Sequence, residues 1–197
     1  MQYGLDLSEN NEKAIYDNHF WNVLKESQYM DFIILRMGYG VSASMDETFL
    51  YAYNKAKKIG IPVISAYWFV YSMDPEDAKI EAQHAVDIIN NLGLEVQHIW
   101  ADIEDNKKWQ KNGFDYSVEN ITGIAKTWVD TFKENKLKTG IYANYGYFDN
   151  YIDWESLDVP IWVAHYVEDT PLKGYLWQQG DDMYIGDYGP FDYNVKF

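Results

Sequence analysis

The most informative stretch of the sequence is Ile99-Trp100-Ala101-Asp102-Ile103-Glu104-Asp105-Asn106. Apolar residues at positions 99, 101 and 103 alternate with the residues between them, and this period of two predicts a strand. Side chains two apart share one face of a strand, so Asp102 and Glu104 point the same way, with Cα atoms about 7 Å apart. The polar residues that follow predict a loop. Two carboxyl groups therefore lie side by side where a strand ends.

Neighbouring carboxyl groups hinder each other's ionisation, which biases one of them toward keeping its proton at neutral pH. A proton donor beside a carboxylate is the minimum requirement for hydrolysis of a glycosidic bond. An Asp-x-Glu triplet is nevertheless a common pattern, and a solvated acidic strand end is the alternative interpretation.

Composition excludes several classes of protein. The 197 residues predict a single domain over residues 1–197, and a hydrophobic fraction of 47% can fill its core. A net charge of −15 argues against nucleic acid and anionic membranes as partners, and no apolar run is long enough for membrane insertion. The absence of cysteine excludes disulfides and thiolate chemistry. The N-terminus has no basic and apolar leader, so we expect no signal peptide in this chain.

Alternating and apolar runs predict eight strands, and the first five are separated by helices. The predicted strands are 2–7, 32–37, 62–69, 96–103, 139–143, 160–166, 175–178 and 191–196. The predicted helices are 19–25, 46–58, 75–92 and 117–135, followed by a short helical turn near 147–151. Such βα units form a parallel sheet with right-handed crossovers.

The predicted fold class is α/β, an irregular TIM-like (β/α) barrel. Regular barrels of this kind need about 250 residues. Because the connections after the fifth strand are too short for full helices, we expect helices to be reduced or missing in the last third. The last strands are then joined by loops or hairpins. An open doubly wound sheet is the alternative, although the chain has no glycine-rich phosphate loop to favour it.

Four acidic residues fall at or near strand ends on the side where such barrels carry their sites: Asp6, Asp102, Glu104 and Asp192. Barrel closure makes the first and eighth strands neighbours, so Asp6 and Asp192 are expected to be adjacent. Clustered carboxylates also suit Ca²⁺ or Mg²⁺, which remains an alternative. The chain has neither an EF-hand-like spacing nor a zinc-binding histidine pattern, and we predict no metal and no cofactor.

Aromatic residues of inward parity accompany these acids and suit a neutral sugar substrate, although each of them is equally compatible with barrel core. They are Tyr67, Phe69, Trp100, Tyr142, Trp162 and Tyr166. Arg36 lies with inward parity on an apolar strand. A buried arginine needs a carboxylate partner, and an acid of the groove is a candidate.

Taken in order along the whole chain, several short segments resemble the glycoside hydrolase family 25 lysozymes, the Chalaropsis-type N-acetylmuramidases, which include catalytic domains of phage endolysins. The segments are Gly4–Ser8, Phe32–Gly40, Gly60–Val63, Ala66–Phe69, Ala101–Asn106, Gly140–Asn144, Ile161–Tyr166, Leu176–Gln178 and Asp192–Asn194.

The resemblance implies an irregular TIM-like barrel that hydrolyses the β-1,4 bond between N-acetylmuramic acid and N-acetylglucosamine in peptidoglycan. It implies that Glu104 is the general acid and that Asp102 orients the substrate and stabilises charge. Asp6 and Asp192 would shape and polarise the site, and Gln178 and Arg36 join the aromatic residues as substrate-binding candidates. Acids two apart on a strand are spaced more like an inverting pair, but assistance by the substrate's 2-acetamido group would allow retention, which we favour.

The resemblance also implies where such a protein works and with what. We expect a monomer that acts on peptidoglycan glycan strands of the bacterial cell wall, either extracellular or released from the cytoplasm by lysis. A non-catalytic glycan-binding barrel, which keeps the groove but not the chemistry, is the alternative function.

Overall fold

The computed structural model describes residues 1–27, 30–170, 172 and 174–197. Its strands are β1 (Gln2–Leu7), β2 (Phe32–Tyr39), β3 (Ser44–Met45), β4 (Val63–Phe69), β5 (His98–Asp102), β6 (Thr139–Asn144), β7 (Ile161–Ala164), β8 (Leu176–Ile185) and β9 (Tyr188–Lys196). Its α-helices are α1 (Glu12–Ile15), α2 (Asn18–Glu26), α3 (Phe49–Ile59), α4 (Pro75–Leu92), α5 (Lys107–Asn112), α6 (Val118–Glu134) and α7 (Tyr145–Asn150). Short 3₁₀ helices span Glu9–Asn11 and Trp154–Leu157.

Eight of the described strands close into a barrel. Their order around it is β1, β2, β4, β5, β6, β7, β8 and β9, and β9 pairs again with β1. Neighbours from β1 to β8 run parallel, whereas β9 is antiparallel to both β8 and β1. The two-residue β3 pairs with the end of β2. The predicted irregular TIM-like barrel is confirmed, and the open doubly wound sheet is wrong.

The last third of the barrel has little helix, as predicted. The short α7 and a 3₁₀ turn lie between β6 and β7, and the described residues between β7 and β8 form no helix. A hairpin joins β8 to β9, with Met183 paired to Phe191 and Ile185 to Tyr188. β8 continues past its predicted end at 178, and β9 begins before its predicted start at 191. The ribbon that these added residues form is partly exposed. Its polar residues therefore do not follow the apolar alternation of a buried strand.

The long helices begin and end at residues that the sequence marks clearly. Asp74 caps α4 by accepting a hydrogen bond from the Asp77 amide, Pro75 occupies the first turn, and Gly93 ends the helix with φ of 59°. Ser117 caps α6 as predicted. The sequence prediction missed α5, which is only one and a half turns long and lies in a polar segment. No helix among the described residues combines the length and apolar character needed to cross a membrane.

The strands bury both faces, as parallel barrels do. Outward-facing residues such as Ile99 and Ala101 pack under the helices, while Phe32, Trp100 and Trp162 belong to a second cluster inside the barrel. Trp100 needs Gly140 on the neighbouring strand, because a Cβ atom there would collide with the indole ring and lie 2.5 Å from the Pro160 carbonyl oxygen. The inner cluster fills the lower barrel and leaves the upper end open.

Candidate active site

A cavity of about 430 Å³ opens at the carboxyl ends of the parallel strands. Active sites of (β/α) barrels lie at this end. The four predicted acids line it together with six of the eight predicted substrate-binding residues, namely Arg36, Tyr67, Phe69, Tyr142, Trp162 and Gln178. The other lining residues are Ser8, Asn10, Asn11, Asp181, Pro190 and the four acids Asp6, Asp102, Glu104 and Asp192.

Asp102 and Glu104 enter the cavity because the pairing of β5 continues just beyond its last residue. The Ile103 amide donates to the Tyr142 carbonyl at 2.9 Å, so Ile103 still faces outward and the residues on either side face inward. Asn106 supports the turn that follows, with its side-chain nitrogen donating to the Glu104 carbonyl at 3.3 Å and its oxygen accepting from the Trp109 amide at 3.1 Å. The structure thus places both acids on one face.

Asp6 and Asp192 are register partners on β1 and β9. Asp6 is buried, and its Oδ2 atom accepts hydrogen bonds from Gln178 Nε2 at 3.0 Å and Asn194 Nδ2 at 2.8 Å. The predicted adjacency of Asp6 and Asp192 is present, because the strand that closes the barrel carries Asp192 to the same end as Asp6.

The acids differ in how readily they ionise. Burial, and secondarily the charges of Asp6 and Asp105, raise the pKa of Glu104 to about 7. Burial and the charge of Asp6 raise the pKa of Asp192 to about 8. Burial, followed by the charges of Glu104 and Asp6, holds the pKa of Asp102 well above its usual range. The cavity therefore offers protonated carboxyl groups near neutral pH, as a general acid requires.

Asp102 also has an atom whose hydrogen-bonding capacity is unused. Its side chain is only 4% exposed, and its Oδ1 atom has no hydrogen-bond partner among the described residues. Buried polar atoms are normally paired, so an orphaned oxygen at a cavity wall is suited to receive a donor from a ligand.

Arg36 does not pair with an acid of the predicted catalytic set, so that expectation is wrong. Its Nε donates to Asp46 Oδ2 at 2.9 Å, and its terminal nitrogen lies 2.8 Å from Glu9 Oε1. Asp46 is buried and also accepts from the amide and hydroxyl of Thr48. The segment between β3 and α3 brings Asp46 back onto β2, a long-range placement that the strand pattern does not reveal.

The aromatic candidates separate into walls, floor and rim. Tyr67, Phe69, Tyr142 and Trp162 line the cavity. Trp100 is completely buried below it, where its ring packs against Trp162 at a centroid distance of 5.9 Å, so its place is the barrel core. Tyr166 is 52% exposed, outside the set of cavity-lining residues, and donates to Gln178 Oε1 at 3.1 Å.

Several polar residues of the site were missed by the sequence prediction. Asn194 is completely buried beside Asp6, and Asp181 joins the cavity from the exposed ribbon of β8. A buried asparagine with inward parity was the available signal for Asn194, whereas Asp181 lies beyond the predicted end of its strand. Within the described part of the chain, no three His, Cys, Asp or Glu side chains are arranged to hold a metal ion.

Comparison with known protein families identifies the family of this chain. Residues 5–187 match the family described as Glycosyl hydrolases family 25. No protein of curated function matches the chain in sequence.

Solved structures share the fold. The modular autolysin LytC from Streptococcus pneumoniae, in complex with a synthetic peptidoglycan ligand, superposes over 100% of this chain with a TM-score of 0.86 at 20% identity. The catalytic domain of endolysin ply40 from bacteriophage P40 of Listeria monocytogenes gives 0.74 at 23% identity, with 100% of this chain and 93% of that chain covered. A family 25 glycosyl hydrolase from Bacillus anthracis gives 0.79 at 21%, with 100% and 89% covered. The chain spans about half of LytC, 46% of its length.

Proposed function

The chain belongs to glycosyl hydrolase family 25, and on that basis we propose that it is a peptidoglycan hydrolase of the lysozyme type. As an N-acetylmuramidase, it cleaves the β-1,4 bond between N-acetylmuramic acid and N-acetylglucosamine. The observation that carries this proposal is the pairing of Glu104, whose pKa burial raises to about 7, with the orphaned Asp102 oxygen in one cavity. The peptidoglycan ligand of LytC supports the same class of substrate.

In the proposed reaction, Glu104 donates its proton to the glycosidic oxygen as the bond from that oxygen to C1 of the muramic acid breaks. The carbonyl oxygen of the substrate's 2-acetamido group forms a bond to C1 on the opposite face. Asp102 Oδ1 accepts the acetamido N–H, which orients the group. This donor favours the ionised form of Asp102, and the carboxylate then stabilises the positive charge that develops on the group. Glu104, now a carboxylate, then removes a proton from the water that reopens the ring, and the configuration at C1 is retained.

The remaining cavity residues bind and polarise in this proposal. Asp6 and Asp192 set the electrostatic environment of Glu104, and Tyr67, Phe69, Tyr142 and Trp162 present aromatic faces and polar edges to the sugar rings. We further propose that residues 1–197 act as one catalytic domain and as a monomer. Its place of action is the bacterial cell wall, and it requires no metal or cofactor.

The test is release of reducing ends from purified peptidoglycan by the wild-type chain and by Glu104→Gln. We expect the variant to lose about 10²–10⁴-fold in rate, the usual contribution of a general acid. Glu134→Gln, on the exposed side of α6, is the matched control and should retain the wild-type rate. Binding to the wall without release of reducing ends by the wild type would contradict the proposal and support a glycan-binding barrel. An NMR spectrum of the first anomer formed tests retention.

A further inference from the structure

Asp6 sits at the end of a hydrogen-bond chain that runs in one direction. The Trp162 indole Nε1 donates to Asn194 Oδ1 at 2.8 Å, and Asn194 Nδ2 donates to Asp6 Oδ2 at 2.8 Å. A second amide, Gln178, donates to the same Asp6 oxygen at 3.0 Å and accepts from Tyr142 at 2.8 Å.

The chemistry of the indole fixes this direction. An indole N–H can only donate, so the Asn194 atom that faces it must be the oxygen. The other end of the amide, which faces Asp6, is then the NH₂ group and can only donate. Asp6 Oδ2 must therefore accept, which leaves Oδ1 as the only oxygen of Asp6 that could carry a proton. Tyrosine hydroxyls can donate or accept, so Gln178 lacks an equally strict constraint.

Burial makes this constraint effective. Asn194 is 0% exposed, Trp162 1% and Asp6 5%, so bulk water does not compete for these hydrogen bonds. A buried carboxylate that accepts two amide N–H bonds is stabilised in its charged form. Since these bonds favour the carboxylate form of Asp6, its register partner Asp192 is the member of the pair favoured to hold the proton.

We propose that Asn194, oriented by Trp162, is a positioning residue that fixes the negative charge on Asp6 and leaves the proton of the Asp6–Asp192 pair on Asp192. This inference rests on the proposed function for its catalytic meaning. A charge held on Asp6 opposes ionisation of Glu104 and so keeps the general acid protonated. Burial raises the pKa of Asp6 overall, and the hydrogen bonds from Asn194 and Gln178 lower it against that effect, in the same direction as the geometry.

Other charged and titratable groups face this site from the surrounding strands. These residues are the same in the wild type and in the Asn194, Trp162 and Trp177 variants compared below. They are Arg36 with its partners Asp46 and Glu9, the acids Asp102, Glu104 and Asp181, and the tyrosines Tyr67, Tyr142 and Tyr166.

The experiment is a ¹³C carboxyl NMR titration of the whole chain labelled at Asp and Glu, with Asp6→Asn and Asp192→Asn used to assign the two signals. We expect Asp6 to ionise at lower pH than Asp192 in the wild type. Asn194→Leu replaces the donor with an apolar side chain of similar volume. In this variant the Asp6 midpoint should rise by about one pH unit, and the Glu104 midpoint should fall. The pH above which kcat/KM declines should fall together with the Glu104 midpoint.

Trp162→Phe provides a second variant that leaves Asn194 in place. It should shift the midpoints in the same directions by a smaller amount, because the amide keeps its donor but loses the group that orients it. Trp177→Phe is the matched control, since it removes an indole N–H that donates to the His165 carbonyl at 2.8 Å, away from the acids. The Asp6 midpoint should not change in that control.

Ionisation of Asp192 before Asp6 in the wild type would overturn the inference, whether or not Asn194→Leu folds. Unchanged midpoints in folded Asn194→Leu and Trp162→Phe would also overturn it. The titrations do not depend on catalysis. If the midpoints behave as expected but the wild type releases no reducing ends, the proposed function fails and the charge assignment stands.

Discussion

Asp6 on β1 and Asp192 on β9 pair directly across the seam where one antiparallel strand closes an otherwise parallel barrel. If β9 ran parallel, its first residues would lie at the opposite end of the barrel. The reversed strand instead places Asp192 beside Asp6, within the same cavity as Asp102 and Glu104. The departure from a regular barrel is therefore what completes the acidic site.

The pH dependence of activity should follow Glu104. Because burial raises the pKa of Glu104 to about 7, its proton is lost above that pH, and kcat/KM should fall about tenfold for each further pH unit. Initial rates on solubilised glycan strands between pH 5 and pH 9, at constant ionic strength, measure this limb. A rate that stays constant up to pH 9 would contradict the assignment of Glu104 as the acid.

The stability of the fold should also depend on this acid. A carboxyl group whose pKa is raised on folding stabilises the native state below its unfolded pKa, and this contribution is lost as pH rises through the folded pKa. For Glu104 that window runs from 4.5 to about 7. Glu104→Gln should therefore be more stable than the wild type at pH 8, by about 1–3 kcal/mol, and should lose this advantage at pH 4.

Urea unfolding at the two pH values measures this difference, with Glu134→Gln as the control for loss of an exposed carboxylate. If Glu104→Gln changed the free energy of unfolding equally at both pH values, burial would not raise the pKa of Glu104.

Removal of Arg36 should destabilise the protein through Asp46. The side chain of Asp46 is 0% exposed, and Arg36→Leu would leave it with backbone and hydroxyl donors but without its cation. Loss of one partner from a buried ion pair costs about 3–5 kcal/mol, and the remaining donors should keep the loss near the lower end. The double variant Arg36→Leu/Asp46→Asn should recover part of that loss in denaturant unfolding. Strictly additive effects would contradict this coupling.

Gly140→Ala should be destabilising because of overpacking. The added methyl group would meet the Trp100 ring and the Pro160 carbonyl, and overpacking of a core costs about 1–3 kcal/mol. Gly93→Ala is the contrasting variant, since nothing lies within 4 Å of its new Cβ and only its φ of 59° is unfavourable. Near-UV circular dichroism should change in Gly140→Ala alone, because only that substitution displaces an indole. An unchanged spectrum would be inconsistent with this packing.

Much of the fold could be predicted because its elements carry local signals. The apolar runs at β2 and β4 and the caps of α4 and α6 define these elements without any tertiary information. The polar ribbon of β8 and the short α5 carry no such signal. One is stabilised by cross-strand pairing and the other by the burial of Trp109, and both effects appear only in the folded chain.

In the candidate site, too, some features follow from local sequence signals and others depend on tertiary contacts. Alternation and strand order suffice to bring Asp6, Asp102, Glu104 and Asp192 to one cavity. Parity alone cannot say how far along the barrel axis a side chain lies, so it groups the buried Trp100 with the cavity-lining Trp162. The partner of Arg36 and the role of Asn194 depend on contacts between distant segments. The catalytic and binding roles of these residues remain predictions.

The most direct test is mass spectrometry of borohydride-reduced products from purified Gram-positive peptidoglycan. We predict fragments with reduced muramic acid at their new ends, produced by the wild type and Glu134→Gln and formed about 10²–10⁴-fold more slowly with Glu104→Gln. Reduced glucosamine at the new ends would contradict the proposed bond. The absence of new reducing ends on several wall types would contradict hydrolysis of peptidoglycan itself.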